Sequence, residues 1–235
     1  MLWNNEGEYK GQYVGKQITE EIREKPFLLI ELFFRLTNKD FITVPFFMNE
    51  VQKDFMEKHF VKDYLKQKKR EIDSIKYIIL KGRQQGFSTL ITAIQLSFAM
   101  VEHGFRGFTM AHDSDSTSSI FSDIAKNMYD NLIDEVKENP KRSNAKELVL
   151  ESNDSAWRIA TAGSKGAGRG KKLRMLHSSE QAFWENMEVN KAAIGQALAK
   201  HSIEIVETTE NGYNLFKEAW DLAQEGNSNY KAFLS

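Results

Sequence analysis

The stretch KGRQQGFST, residues 81–89, brings a lysine, two glycines and a Ser-Thr pair together. These are the residue types that hold a phosphate. Glycines at 82 and 86 let the backbone approach an anion closely, and the N–H groups of such a loop, with the positive end of a helix dipole behind them, form an anion site. Ser88 or Thr89 then stands where a hydroxyl can ligate magnesium. The usual pattern for this chemistry is G-x-x-x-x-G-K-[ST]. Aligned on Gly86 and Ser88, the lysine position holds Phe87 and the leading glycine position holds Lys81. A lysine at the start of the loop can fold back over the phosphates, so the cation is displaced and not lost. Lys81, Gly82, Arg83, Gln84, Gln85, Gly86, Phe87, Ser88 and Thr89 are therefore phosphate-binding candidates. The other reading is a glycine-containing strand-to-helix turn with Lys81 and Arg83 on its surface.

Hydrolysis at a phosphate also needs an acid to orient water. Glu180 closes the run LRMLHSSEQAFW, and an acid at the end of a neighbouring parallel strand faces the γ-phosphate. Most such enzymes carry Asp-Glu there, whereas Ser179 precedes Glu180, which leaves the indirect magnesium ligand weak or missing. The loop AGSKGAGRGKKL is either a plain flexible connection or a means of delivering Arg169 to a γ-phosphate, in its own subunit or a neighbouring one. Thr208, Thr209, Asn211 and Gly212 end an apolar strand with groups able to sense that phosphate. Gln52, near Phe46 and Phe47, has an amide for an adenine edge while a ring stacks on the base; taken alone, a helix glutamine is more often a solvated residue. His112, Ser114 and Ser116 read as a capped turn, or as groups tracking a nucleic-acid backbone.

The elements that must position these groups follow from periodicity. Tyr77 to Leu80 form a buried strand, and Leu90, Ile91, Ile94, Phe98 and Val101 recur at helical spacing after it. Phe108 and Met110 mark a second strand, followed by a helix capped by Asp113 or Ser114 with Ile120, Ile124, Met128 and Leu132 on its face. Strand, turn and helix repeated in this way imply a parallel sheet. Residues 17–37 are helical with a break at Pro26, and Asn49 caps a helix through Val51, Phe55, Phe60 and Tyr64. Residues 134–146 read as a surface excursion, with ELVLE and WRIAT as an antiparallel hairpin. A helix carrying Val189, Ala193, Ala197 and Leu198 precedes a core strand with Ile203, Ile205 and Val206. A helix over 213–224 then closes the domain.

The chain has 235 residues, enough for one large α/β domain. With 32 basic and 33 acidic side chains, net charge gives no argument for nucleic acid, so any such contact must come from local patches. The absence of cysteine excludes disulfides and cysteine-based zinc or nucleophile sites. No apolar run reaches membrane-spanning length and no secretory pattern opens the chain; the expectation is a soluble, intracellular protein without a membrane partner.

With KGRQQGFST, LRMLHSSEQAFW and VETTENG in this order, the chain resembles the ATPase half of the large terminase subunit of tailed bacteriophages, from about Phe46 to its C-terminus. The resemblance implies an α/β fold of the ASCE type, an ATPase with a phosphate-binding loop and a mostly parallel central sheet between two layers of helices, with a helical flank at the N-terminus. It divides the chain into an arm and flank (1–45), an ATPase core (46–225) and the start of a linker (226–235). It implies ATP and Mg2+ as cofactors and ATP-driven packaging of double-stranded DNA into a procapsid. By position, Gln52 matches the adenine-contacting glutamine, Lys81 to Thr89 the phosphate loop, Glu180 the catalytic acid, and Thr208, Thr209, Asn211 and Gly212 the coupling motif. Arg169 lies where some members supply an arginine to the adjoining subunit, and Arg83 competes with it from within one subunit. Ser88, with Ser179 a weak second, falls to magnesium. The implied partners are the portal, the small terminase subunit and further copies in a ring, expected to be a pentamer, in the cytoplasm of an infected bacterium. Members usually continue into a ribonuclease H-type nuclease for which nothing after 213 leaves room, so the expectation is a motor half without DNA cleavage. A helicase-like ATPase and a nucleotide-binding assembly module that has lost hydrolysis, suggested by Phe87 and Ser179, are the competing readings.

Overall fold

Residues 18–38, 40–164 and 172–235 are described by a computed structural model of the chain. The N-terminal helical flank is two short helices, α1 (Glu20–Glu24) and α2 (Leu28–Phe33), parted at Pro26, which has no N–H with which to continue the first. A small antiparallel ribbon follows, β1 (Arg35–Thr37) with β2 (Thr43–Pro45). Asn49 caps α3 (Glu50–Phe55), which runs through one π turn, Met56–Phe60, into α4 (Val61–Lys68).

β3 (Ile75–Leu80) delivers the chain to the glycine loop and α5 (Phe87–Val101), and β4 (Arg106–Ala111) follows. Asp113 caps α6 (Ser114–Ser119) by accepting the Ser116 N–H at 2.7 Å. That helix continues through a second π segment, Ile120–Lys126, to α7 (Asn127–Asp130). The stretch expected to be a surface excursion contributes β5 (Arg142–Asn144), which pairs antiparallel with β6 (Glu147–Leu150). β6 and β7 (Ser155–Thr161) form the expected hairpin. β8 (Leu173–Ser179) ends in a 3-10 turn, Gln181–Phe183, before α8 (Met187–Gly195). The helix stops at Gly195, so Leu198, expected on it, instead opens β9 (Leu198–Thr208). α9 (Leu215–Gln224) and β10 (Lys231–Leu234) complete the chain. Within the stretch 226–235, Lys231–Leu234 form an edge strand parallel to β3.

The main sheet has the order β10-β3-β9-β8-β4-β7-β6-β5, parallel from β10 to β7 and antiparallel over the hairpin strands. β9 lies between β3 and β8, so the strand feeding the loop and the strand ending in Glu180 share a neighbour. Alternation along the strands divides the core. Tyr77, Ile79, Met175, Ile203 and Ile205 face α5 and the N-terminal helices, while Ile78, Leu176 and Val206 face Trp220 and Phe216 of α9 and Ile194 of α8. α5 is buried nearly all round, which places its N-terminus at the polar ends of β3, β8 and β9. Among the described residues no helix is long and apolar enough to cross a membrane.

Candidate active site

The loop between β3 and α5 is fixed by two residues outside it. Gly86 has φ +73°, and a β-carbon there would lie 2.7 Å from the Gln52 side-chain nitrogen. Only glycine fits both the conformation and the space. Gln52 is buried, and its Nε2 donates to the Gly86 carbonyl at 2.8 Å while its Oε1 accepts the Asn49 N–H at 3.0 Å. Asn49 Nδ2 donates to the Gln85 carbonyl at 3.1 Å. The capping box of α3 therefore also clamps the loop. Below it the Phe87 ring is fully buried, edge-on to Phe55 at 5.7 Å and near Phe233 at 5.8 Å. The ring that replaces the usual lysine is an anchor in the core, which leaves the Phe87 backbone N–H as its group nearest the loop.

Lys81, at the mouth of β3, turns its ammonium group onto two carboxylates, 3.0 Å from Glu180 Oε1 and 2.7 Å from Glu207 Oε2, with Ser88 Oγ at 3.3 Å. Glu207 is 0% exposed. Its Oε1 accepts from Ser88 Oγ at 2.8 Å and Ser179 Oγ at 2.9 Å, and lies 3.2 Å from Nε2 of the buried His177. Burial alone pushes a carboxyl pKa up, but the His177 hydrogen bond and the Lys81 charge outweigh it and hold Glu207 at about 2. The same pair of acids raises Lys81 against its own desolvation. The cluster is thus an ionised Lys81, a buried anion at Glu207, and a Ser88 hydroxyl whose proton points to that anion.

Glu180 follows β8 in the left-handed conformation, φ 50° and ψ 48°. This bend carries its carboxylate back toward β9, where Oε2 accepts from the Thr209 N–H at 2.9 Å, Thr208 Oγ1 at 3.1 Å and Thr209 Oγ1 at 3.2 Å. Asn211 Nδ2 donates to the Ala182 carbonyl at 2.8 Å, and Asn214 Nδ2 to the same oxygen at 3.1 Å. Asn214 also caps α9. The expected sensing segment is therefore wired directly to the acid and, through Asn214, to a helix. Gly212 turns the segment at φ +62°.

A cavity of about 450 Å³ opens beside the cluster, walled by Lys81, Arg83, Gln84, Ser88, Glu180 and Thr209, with His112 and Ser116 opposite. Other expectations divide. Ser88, not Thr89, reaches the acids; Ser179 is occupied with Glu207. An added β-carbon at Gly82 would meet only the flexible Gln85 side chain. Phe46 is buried in the core and so unavailable to stack on a base, whereas Phe47 is 57% exposed. Arg169 lies outside the described residues. Sequence reasoning missed Glu207, His177 and Asn214, and gave Asn49 as a helix cap without its contact to the loop. An acid at the second position of VETTENG, directly after Ile203, Ile205 and Val206, is the available signal for Glu207.

Among the described residues no group of three or more histidine, cysteine, aspartate or glutamate side chains could hold a metal ion alone. The donor set suits magnesium arriving with phosphates: a hard hydroxyl oxygen, Ser88 Oγ, backed by a buried carboxylate.

No protein-family model and no curated protein sequence matches the chain. Solved structures do share its fold. The large terminase of bacteriophage HK97 superposes with a TM-score of 0.66 at 18% identity, over 90% of this chain and 43% of that one. The large terminase ATPase domain of Thermus phage P74-26 gives 0.55 at 16%, over 79% and 80% of the two chains. The large terminase of the thermophilic bacteriophage D6E in complex with ADP gives 0.55 at 13%, over 80% and 45%. The chain has the α/β fold of phage terminase ATPase domains and spans less than half the length of the HK97 and D6E proteins.

Proposed function

We propose that this chain is the ATP-hydrolysing motor of a viral DNA-packaging terminase, working with magnesium to drive double-stranded DNA into a procapsid. The observation that carries the reading is the convergence of Lys81, Ser88 and Glu180 at one end of the sheet, beside a loop clamped open at the N-terminus of a buried helix. The resemblance of the fold to terminase ATPase domains, one of them in complex with ADP, supports it.

In this reading the triphosphate enters the cavity beside Lys81 and meets the loop N–H groups and the start of α5. Lys81 turns from the carboxylates to phosphate oxygens, filling from the front of the loop the post left by Phe87. Ser88 supplies a hydroxyl oxygen to the nucleotide's magnesium. When bound, magnesium neutralises charge on the phosphates as the γ-phosphoryl group is transferred. Glu180 accepts a proton from the attacking water and orients it. Since Thr208 and Thr209 hold the same carboxylate, any movement of Glu180 is felt in the Thr208–Gly212 segment and at Asn214 on α9. Arg169 from a neighbouring copy, or Arg83 from the cavity wall, completes the charge around the γ-phosphate. Phe47 is the ring left to meet the base. Further copies in a ring on the portal, probed first as a pentamer, and a small terminase subunit are the proposed partners, in the cytoplasm of the infected host. The loss of hydrolysis suggested by Phe87 and Ser179 is disfavoured, because the cation is present at Lys81 and an acid at Glu207.

The test is ATP turnover against protein concentration, with ATP binding measured beside it. Wild type is expected to hydrolyse ATP, more steeply than linearly in concentration if Arg169 acts between copies. Glu180→Ala is expected to bind ATP but turn it over about 100- to 10,000-fold more slowly, and Lys81→Ala to lose activity. If wild type binds ATP and neither substitution changes a baseline rate, the assignment fails.

A further inference from the structure

The sequence resemblance leads to an acid before Glu180, and position 179 on β8 holds a serine. Across the parallel pairing of β8 and β9, Ser179 is in register with Glu207. The small side chain leaves room, and the Glu207 carboxylate fills it, accepting from Ser179 Oγ at 2.9 Å and from Ser88 Oγ at 2.8 Å. Resting on the nucleotide-binding reading above, we infer that Glu207 is the relocated acid of the magnesium site, a positioning residue that performs from β9 the task of an aspartate at 179.

Three observations carry this. The hydrogen bond from Ser88 commits the hydroxyl proton to Glu207, so the oxygen accepts from the Lys81 ammonium group at 3.3 Å and has its second lone pair for a cation. The carboxylate is completely buried, so its charge is screened by no water and acts on its immediate surroundings. Its other neighbours are also donors: His177 Nε2 at 3.2 Å and Lys81 at 2.7 Å. A buried acid serving the fold alone would be costly compared with an apolar residue of similar size. The geometry also explains the serine. An aspartate at 179 would put a second anion against Glu207, and two carboxylates at that distance do not both ionise. The site has room for one acid, and this chain places it on the neighbouring strand.

Glu207→Gln keeps the shape and removes the charge. Its affinity for a non-hydrolysable ATP analogue, measured by calorimetry with magnesium and with a chelator, separates the metal's share from the loop's. The expected result is loss of about 10- to 100-fold in the magnesium-dependent tightening, the range for residues that orient a metal ligand, with no such loss in chelator, where freeing Lys81 from Glu207 favours the phosphates. Ser179→Asp is expected to weaken magnesium-dependent binding in the wild-type background and to restore it in the Glu207→Gln background, a reversal of sign that a merely structural glutamate does not produce. Equal loss with and without magnesium in Glu207→Gln, undiminished tightening, or a folded double variant that recovers nothing overturns the inference. A wild-type chain that binds no nucleotide overturns the functional reading itself, and this inference with it.

Discussion

Replacing Lys81 by methionine leaves Glu180 and Glu207 without the ammonium group that lies 3.0 and 2.7 Å from them. Glu180 reaches the cavity and can be rehydrated, but Glu207 has no exposed surface. In the wild type Glu207 is held at about 2 against the ordinary 4.5, which is worth about 3 kcal/mol at 1.36 kcal/mol per unit. Only part of that belongs to Lys81, since the His177 hydrogen bond contributes too. Removing one partner of a buried pair nevertheless costs about 3–5 kcal/mol, because the remaining charge is stranded. A loss of about 3 kcal/mol near neutral pH is therefore expected. The sign of its pH dependence is fixed. A depressed carboxyl stabilises the wild type fully above the unfolded value of 4.5, and that stability fades as pH falls toward about 2. Without Lys81 the carboxyl keeps the His177 hydrogen bond but is less depressed, so the loss against wild type is largest at neutral pH and shrinks as acid neutralises the carboxylate. Urea unfolding followed by circular dichroism, near neutral pH and again at about pH 4, should show the gap between wild type and Lys81→Met narrowing. Glu207→Gln added to Lys81→Met should recover most of the loss. A gap below about 1 kcal/mol, a gap independent of pH, or a double variant as unstable as the two single losses added together would refute the reasoning.

Two further perturbations bear on the scaffold. Gly86→Ala forces a side chain into the left-handed region and a β-carbon to 2.7 Å from Gln52 Nε2; thermal melting should show a loss of about 1–2 kcal/mol from conformation alone, and nucleotide binding should fall with it. Glu31 on α2 is pushed up to about 7 by burial, against a hydrogen bond from the Met48 backbone. The folded chain therefore binds the extra proton, and stability falls as pH rises from the ordinary carboxyl range through about 7. Glu31→Gln should remove that slope and melt higher than wild type above neutrality, while near pH 4 the two should coincide.

Legibility of the sequence followed the range of each interaction. The strand-loop-helix around Lys81 and the cap at Asp113 are written in local periodicity and side-chain chemistry, and they stand where the residues put them. Glu180 could be picked out because it ends an apolar run. Glu207 could not be assigned a role in advance, because what it does depends on which strand lies beside which: only the insertion of β9 between β3 and β8 brings it to Lys81, Ser88 and Ser179 together. β5 and β10 are edge strands of three and four residues, too short to show alternation, and their partners supply the order that their own composition lacks. The Gln52 amide holds the Gly86 carbonyl and the Asn49 N–H, contacts that its sequence neighbours do not reveal, since a glutamine amide serves a ligand or a carbonyl equally well.

The clamp from Asn49 and Gln52 onto the loop has a consequence for the order of assembly. Gln52 and Gly86 are 34 positions apart, so the loop takes its shape only after the segment carrying α3 has docked on the start of α5, and closing that stretch of chain has an entropic cost before the contact repays it. Nucleotide competence should accordingly emerge late in refolding, behind the local helices, and the amides near Gly86 should exchange with solvent in step with those of α3 and not with those of β3.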